Sequence, residues 1–278
     1  MIAPFTRLLA DADERRAVGA FTCYDLETAA GVLRAAEQRS APVILLLSEK
    51  SFESANGRFL AGALRAVAEQ AVVPVSVQLD HVTSLELISR AFELGVCAVL
   101  ADGSRLPYSE NVEFVRRAVE IAKRHGGDVE AELGRVEGDE DIVVASSLGA
   151  LTDPPQARDF VCATGASCLA VSIGNVHGVY ASPPRLDWRR LSDIHAGVSV
   201  PLALHGASGL TLEDLRQAVD LGIRKVNFNT ELRKSYVAAT IVAAQGVQQG
   251  HNLLALHLTQ SEAVASTALD KIDALTLT

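Results

Sequence analysis

Three histidines, His81, His177 and His205, each stand at the end of an apolar, strand-like run: VPVSVQLD, CLAVSIGN and VPLAL. Three neutral imidazoles converging from separate strand ends would make a site for a borderline divalent ion such as Zn²⁺, with an open position for substrate. Such an ion activates a water molecule or polarises a carbonyl. Other polar residues also end strand-like runs: Ser48, Asp80, Asp102, Glu132 and Asn227. The remaining histidines provide an internal comparison. His125 precedes Gly126-Gly127 and His195 precedes Ala196-Gly197, a pattern of helix C-termini, where the dipole favours a basic side chain and glycine the cap. His251 and His257 have a spacing that suits no common metal motif.

Small residues accompany the second and third of these histidines. Gly178 follows His177, and Gly206-Ala207-Ser208-Gly209 follows His205. Without side chains in the way, backbone N–H groups can approach an anion at a helix N-terminus. Asn227 and Thr230 flank the start of the last barrel-type helix, where enzymes built on eight-fold barrels often hold phosphate. A metal rim joined to a phosphate rim points to carbonyl chemistry on a sugar phosphate.

These residues need a frame that gathers strand ends. Apolar, β-branched runs predict strands near 17–22, 42–47, 74–79, 96–101, 128–133, 168–173, 200–205 and 223–228. Amphipathic patterns predict helices over 26–39, 57–71, 84–94, 109–125, 154–164, 188–195, 211–221 and 230–247. Runs such as Val43-Ile44-Leu45-Leu46-Leu47 show no polar alternation, as expected of parallel strands buried on both faces. Eight strand–helix units imply a (β/α)8 (TIM) barrel over about residues 15–245, with one domain spanning 1–278 and a helical tail at 248–278. The rival, a doubly wound open sheet, lacks a G-x-G-x-x-G after its first strand. Long linkers at 134–152 and 174–187 fall on the face where barrel enzymes keep their chemistry, and the first, Gly-rich and acidic, reads as a lid.

Composition narrows the function classes. The net charge is −9, from 25 basic and 34 acidic residues, with no Lys/Arg cluster to form a nucleic-acid or anionic-membrane surface. Absence of a long apolar run and of a signal-peptide pattern leads to the expectation of a cytoplasmic protein. Cys23, Cys97, Cys162 and Cys168 are scattered and read as free thiols.

Six segments then agree with one family: LDH (79–81), ADGSRLPYSEN (101–111), VEAELGRVEG (129–138), SIGNVHGVY (172–180), LHGAS (204–208) and KVNFNTEL (225–232). In these, over about residues 15–240, the chain resembles the class II, metal-dependent ketose-bisphosphate aldolases, which include fructose- and tagatose-bisphosphate aldolases. The resemblance implies one zinc or similar divalent ion per subunit, held by His81, His177 and His205. It implies Asp80 as the acid/base at the substrate C4 hydroxyl and Glu140, in the long loop, as the group exchanging the enediolate proton. Asp102 and Glu132 would support the metal region. Ser48 would lie at the substrate, and Gly178, Gly206, Ser208, Asn227 and Thr230 would hold the phosphate of a dihydroxyacetone phosphate half, often with a monovalent cation. A homodimer or homotetramer is the family expectation.

The chain also departs from that pattern. Val82 replaces a second histidine often found after the Asp-His pair, Thr22 stands where relatives carry asparagine, and Ala181 and Ser182 where many carry lysine. No arginine follows Arg233, although bisphosphate-cleaving relatives use one to bind the distal phosphate. Arg58, Arg105 or Lys50 would have to substitute, or the aldehyde half is not the usual phosphate. Two other chemistries fit the same rim: a metal-dependent hydrolase, and a Schiff-base aldolase using Lys225, the only lysine within a strand-like run. A binding-only regulatory descendant is a third alternative, against which Asp80 and Glu140 argue.

Overall fold

The computed structural model describes residues 1–12, 15–136, 150–178, 184–247 and 250–277. Eight parallel strands close in chain order into a barrel: β1 (Val18–Thr22), β2 (Val43–Ser48), β3 (Val75–Val82), β4 (Ala98–Ala101), β5 (Asp128–Leu133), β6 (Cys168–Val171), β7 (Leu202–Leu204) and β8 (Ile223–Phe228), with β8 pairing back onto β1. The barrel reading therefore holds and the open sheet does not. The ring of helices comprises α2 (Leu26–Arg39), α3 (Glu49–Glu53), α4 (Gly57–Gln70), α5 (Leu85–Glu93), α6 (Tyr108–His125), α7 (Pro154–Thr164), α8 (Trp188–Gly197), α9 (Leu212–Asp220) and α10 (Thr230–Ala244). Before them lies α1 (Phe5–Asp11), and after them α11 (Leu253–Ala274).

The strand side chains sort into two cores because successive residues point to opposite faces. Outward residues such as Val43, Leu45 and Leu47 pack under the helices. Inward residues Val18, Ala20, Ile44, Leu46, Ala98, Cys168, Ala170 and Ala203 join Phe5, Leu8 and Leu9 of α1 in a separate cluster. The short helix α1 thus plugs the N-terminal end of the barrel, tied there by Ala3 N–H donating to Val75 O and by Thr6 bonding Asp128. Nothing in FTRLLAD announces this helix: it has no side-chain cap, and docking, not propensity, makes it stable. The tail forms one long helix, α11, laid along α2 and α10. A Cβ at Gly31 would lie 2.6 Å from Ser261 O, so the α2–α11 approach depends on glycine.

Local signals match the helix ends. Thr211 and Asp214 make a reciprocal capping box at α9, and Gly126 and Gly165 cap α6 and α7 in the left-handed region. Two predicted boundaries move for a reason that bears on the site. β3 continues through Asp80 and His81 to Val82, whereas β7 stops at Leu204, just before His205.

Candidate metal and catalytic site

Asp80 and His81 are consecutive in β3 and would normally face opposite sides of the sheet. Their register with β4 shifts between Leu79 and Val82, and His81 takes φ +52°. This bulge, with a left-handed residue where a branched side chain would be strained, keeps Asp80 facing inward and swings His81 onto the rim beside it. The His205 ring follows β7 directly. His177 arrives on the loop after β6, which is locked by Asn175: its Nδ2 donates to His205 O at 3.0 Å and its Oδ1 accepts from Ile173 N–H at 2.8 Å. A Cβ at Gly206 would lie 2.2 Å from Val176 O, so the two histidine-bearing loops touch only because residue 206 is glycine.

The three rings converge. Their centroids lie 5.1 Å (His81–His177), 4.9 Å (His81–His205) and 6.0 Å (His177–His205) apart. One ligand atom from each lies within 4.8 Å of the others, close enough to share one ion. His81 Nδ1 is 2.8 Å from Asp102 Oδ2, leaving Nε2 to face His205 Nδ1 at 3.1 Å. His205 Nε2 in turn is 2.8 Å from Glu130 Oε1. The His81 and His205 imidazoles therefore each have one nitrogen oriented by a carboxylate and the other turned into the common centre, as metal-bound histidines require.

Glu132 supplies the strongest sign that a cation belongs here. Its Oε1 accepts from Val136 N–H, whereas its buried Oε2 has no hydrogen-bond partner among the described residues and lies 3.8 Å from His81 Nδ1 and 3.9 Å from His205 Nδ1. Burial, and then repulsion from Asp102, push the Glu132 carboxyl up to about 8. Burial lowers His205 to about 4, keeping its imidazole neutral and its lone pair available. Burial also acts to lower His81, but Asp80, Asp102 and Glu132 outweigh it and hold it well above the usual histidine range. An unpartnered buried carboxylate oxygen beside a neutral and a proton-hungry imidazole fits a divalent ion. His81, Asp102 and Glu132 form a second group of possible ligands sharing His81.

Asp80 is buried, and Asn227 Nδ2 approaches its two oxygens at 3.4 and 3.3 Å. The other predicted substrate contacts reach the same rim with prior engagements. Ser48, opposite Asp80 in register, caps α3 by accepting from Ser51 N–H at 3.2 Å. Ser208 Oγ–H and Gly209 N–H both donate to Glu231, at 2.5 and 3.1 Å. Gly178 (φ +88°) follows His177, and Thr230 is buried in the first turn of α10. Glu140, Ala181 and Ser182 lie outside the described residues.

Sequence reasoning missed Glu130 and Gln78 and misjudged Lys225. All three point into the barrel one layer below the rim, two residues before Glu132, Asp80 and Asn227 respectively, and period-two counting from those residues would have found them. Lys225 Nζ lies 2.8 Å from Glu130 Oε2 with no solvent exposure of either side chain. Burial disfavours its ammonium, but Glu130 and Asp80 hold it charged, and the net shift is upward. An ammonium held in this ion pair is a poor amine nucleophile, which argues against Schiff-base chemistry at Lys225.

Comparison with known proteins agrees with this geometry. Residues 3–277 match the model of the class-II fructose-bisphosphate aldolase family. The chain belongs to that family. The YdjI aldolase of Escherichia coli K12 is 34% identical, with 99% of this chain and 97% of that one covered and a TM-score of 0.86. A Coccidioides immitis protein assigned as a fructose-1,6-biphosphate aldolase is 30% identical over 98% and 95% of the two chains, with a TM-score of 0.89. The fructose-bisphosphate aldolase Fba of Campylobacter jejuni, at 20% identity over 99% and 95%, shares the fold at a TM-score of 0.81. The chain is thus a lyase of the class II aldolase type on a TIM barrel. No helix among the described residues is long and apolar enough to cross a membrane.

Proposed function

We propose that this aldolase uses one Zn²⁺, held by His81, His177 and His205, to cleave and re-form a ketose 1-phosphate as dihydroxyacetone phosphate and an aldehyde. The observation that carries the reading is the convergence of three imidazoles around the unpartnered Glu132 oxygen, with Asp80 alongside. Three nitrogen donors suit zinc better than the harder oxygen-seeking ions. When bound, the ion would polarise the ketone and stabilise negative charge developing on its oxygen.

The chain's own groups do the rest. Asp80, buried and oriented by Asn227, takes the C4 hydroxyl proton during cleavage and returns it in condensation. Glu140 exchanges the proton at the carbon released from the C–C bond. Asp102 and Glu130 hold the imidazoles of His81 and His205 in their metal-facing tautomers. The phosphate would meet Gly178, Gly206, Ser208 and Thr230, with Ser208 exchanging Glu231 for the ligand.

Because no arginine follows Arg233, the distal end of the substrate is either a phosphate held by other cations or a group other than the usual phosphate. Lys50, Arg58 and Arg105, all exposed on segments following β2 and β4, are candidate cations for that end. The chain would work as a homodimer or homotetramer in the cytoplasm. Val237, Ile241 and Val242 of α10 and Leu253, Leu254 and Leu258 of α11 support self-association: six exposed apolar residues on one helix pair, with little charge to repel a second copy.

Aldehydes bearing phosphate, carboxylate or no charge, each condensed with dihydroxyacetone phosphate before and after chelation, test the proposal. His81→Ala should lose bound zinc and activity together. Activity that survives complete metal removal would sink it.

A further inference from the structure

One group of buried polar side chains touches neither the proposed ion nor the substrate. Gln78 Nε2 donates to Glu130 Oε2 at 2.7 Å, and Lys225 Nζ lies 2.8 Å from that same oxygen. Lys225 Nζ also donates to Asn227 Oδ1 at 2.6 Å. Beyond this pair, Glu130 Oε1 reaches His205 Nε2 at 2.8 Å, and Asn227 Nδ2 reaches Asp80. Gln78, Glu130, Lys225 and His205 have no solvent exposure at all. The adjoining interior cluster is built from Phe5, Leu8, Leu9, Val18, Ile44, Leu46, Cys168 and alanines, so filling space in the barrel did not require charge. A buried ion pair is a poor stabiliser compared with apolar residues of equal volume.

We propose that the Lys225–Glu130 pair is a positioning device acting on both halves of the site. Lysine's ammonium only donates, and an ionised carboxylate only accepts. Asn227 lies between one of each. Its carbonyl oxygen must turn to Lys225 and its NH2 to Asp80, which removes the amide flip and aims a donor at the proposed acid/base. On the other arm, Glu130 can only accept from His205, so the His205 proton stays on Nε2 and the lone pair on Nδ1, facing His81. One pair of opposite charges thus orients a metal ligand and a proton carrier attached to different strands.

This inference rests on the roles proposed above for His205 and Asp80, and one arm of its test needs no turnover. In zinc-loaded protein labelled with ¹⁵N-histidine, His205, assigned by its loss in His205→Ala, should be bound through Nδ1 with a proton on Nε2. Zinc on Nε2 of His205 would overturn the device. The second arm compares wild type with Lys225→Met/Glu130→Gln, which removes both charges and keeps both volumes. Its zinc affinity, measured by chelator competition, should fall by about tenfold or more. Its cleavage kcat should fall by about 10²-fold with KM within about threefold, and the acidic limb of its pH profile should move. Unchanged zinc affinity with an unchanged kcat and pH profile in that variant would overturn the inference. A wild type that binds zinc through His205 Nδ1 yet cleaves no ketose phosphate would refute the aldolase reading and leave the positioning device standing.

Discussion

The two ends of the barrel interior are built on the same strands and the same alternation, yet they obey different rules. At the N-terminal end, Phe5, Leu8 and Leu9 of α1 close over Val18, Ala20, Ile44, Leu46 and small residues. Such a layer depends on volume and tolerates one apolar residue for another of like size. One to two layers higher, Gln78, Asp80, Glu130, Glu132, His205, Lys225 and Asn227 are just as buried, but each depends on the sign and direction of its neighbour. Low dielectric strengthens a paired charge and penalises an unpaired one, so the upper layers are specific where the lower one is permissive.

Substitutions can break or sharpen this contrast. The largest effect is expected at the reacting end: Asp80→Ala should lower cleavage kcat by about 10²–10⁴-fold, while zinc content measured by atomic absorption stays at the wild-type level. Lys225→Met alone leaves Glu130 charged and buried, and should destabilise the fold by about 3–5 kcal/mol in denaturant titrations. Leu9→Ala in the plug should destabilise by about 2–5 kcal/mol through its cavity, yet leave zinc affinity and kcat unchanged. Loss of zinc affinity in Leu9→Ala would mean that the two layers are not separable.

pH provides a milder probe. His81 is held well above the usual histidine range, so near neutrality it carries a proton on the nitrogen that faces the metal centre. Metal binding must release that proton. Zinc affinity, by competition titration, should therefore weaken by about tenfold per unit as pH falls through the neutral range, and should level off above the raised His81 value. The smallest effect should come from outside both layers. Thr211→Ala removes the α9 capping box and should cost about 1 kcal/mol with no change in activity.

Much of this was legible from residue order. Boundaries of α2 and α7 match the predicted 26–39 and 154–164, because their caps and amphipathic faces are local. The convergence of His81, His177 and His205 was legible from strand ends alone, since a closed barrel collects strand ends on one rim. The short elements α1 and α3 were not found: each has too few residues for a period to show. Nor was the role of Lys225, which reads in the sequence as a Schiff-base candidate and which its two-residue offset from Asn227 sets just beneath the rim, on the same inward face.

What the sequence by itself determined is the set of eight strand–helix units, their parallel, doubly buried character and the polar residues at the strand ends. Those follow from periodicity, turn chemistry and caps, all of which act over a few residues. Only the tertiary structure decided which inward side chain meets which. The His81 bulge, the contact of Gly206 with Val176 and the pairing of Lys225 with Glu130 depend on register and closure across the barrel. Period two assigns a residue to a face. It carries no information about the partner on another strand, and the charge balance of a buried layer is a property of partners.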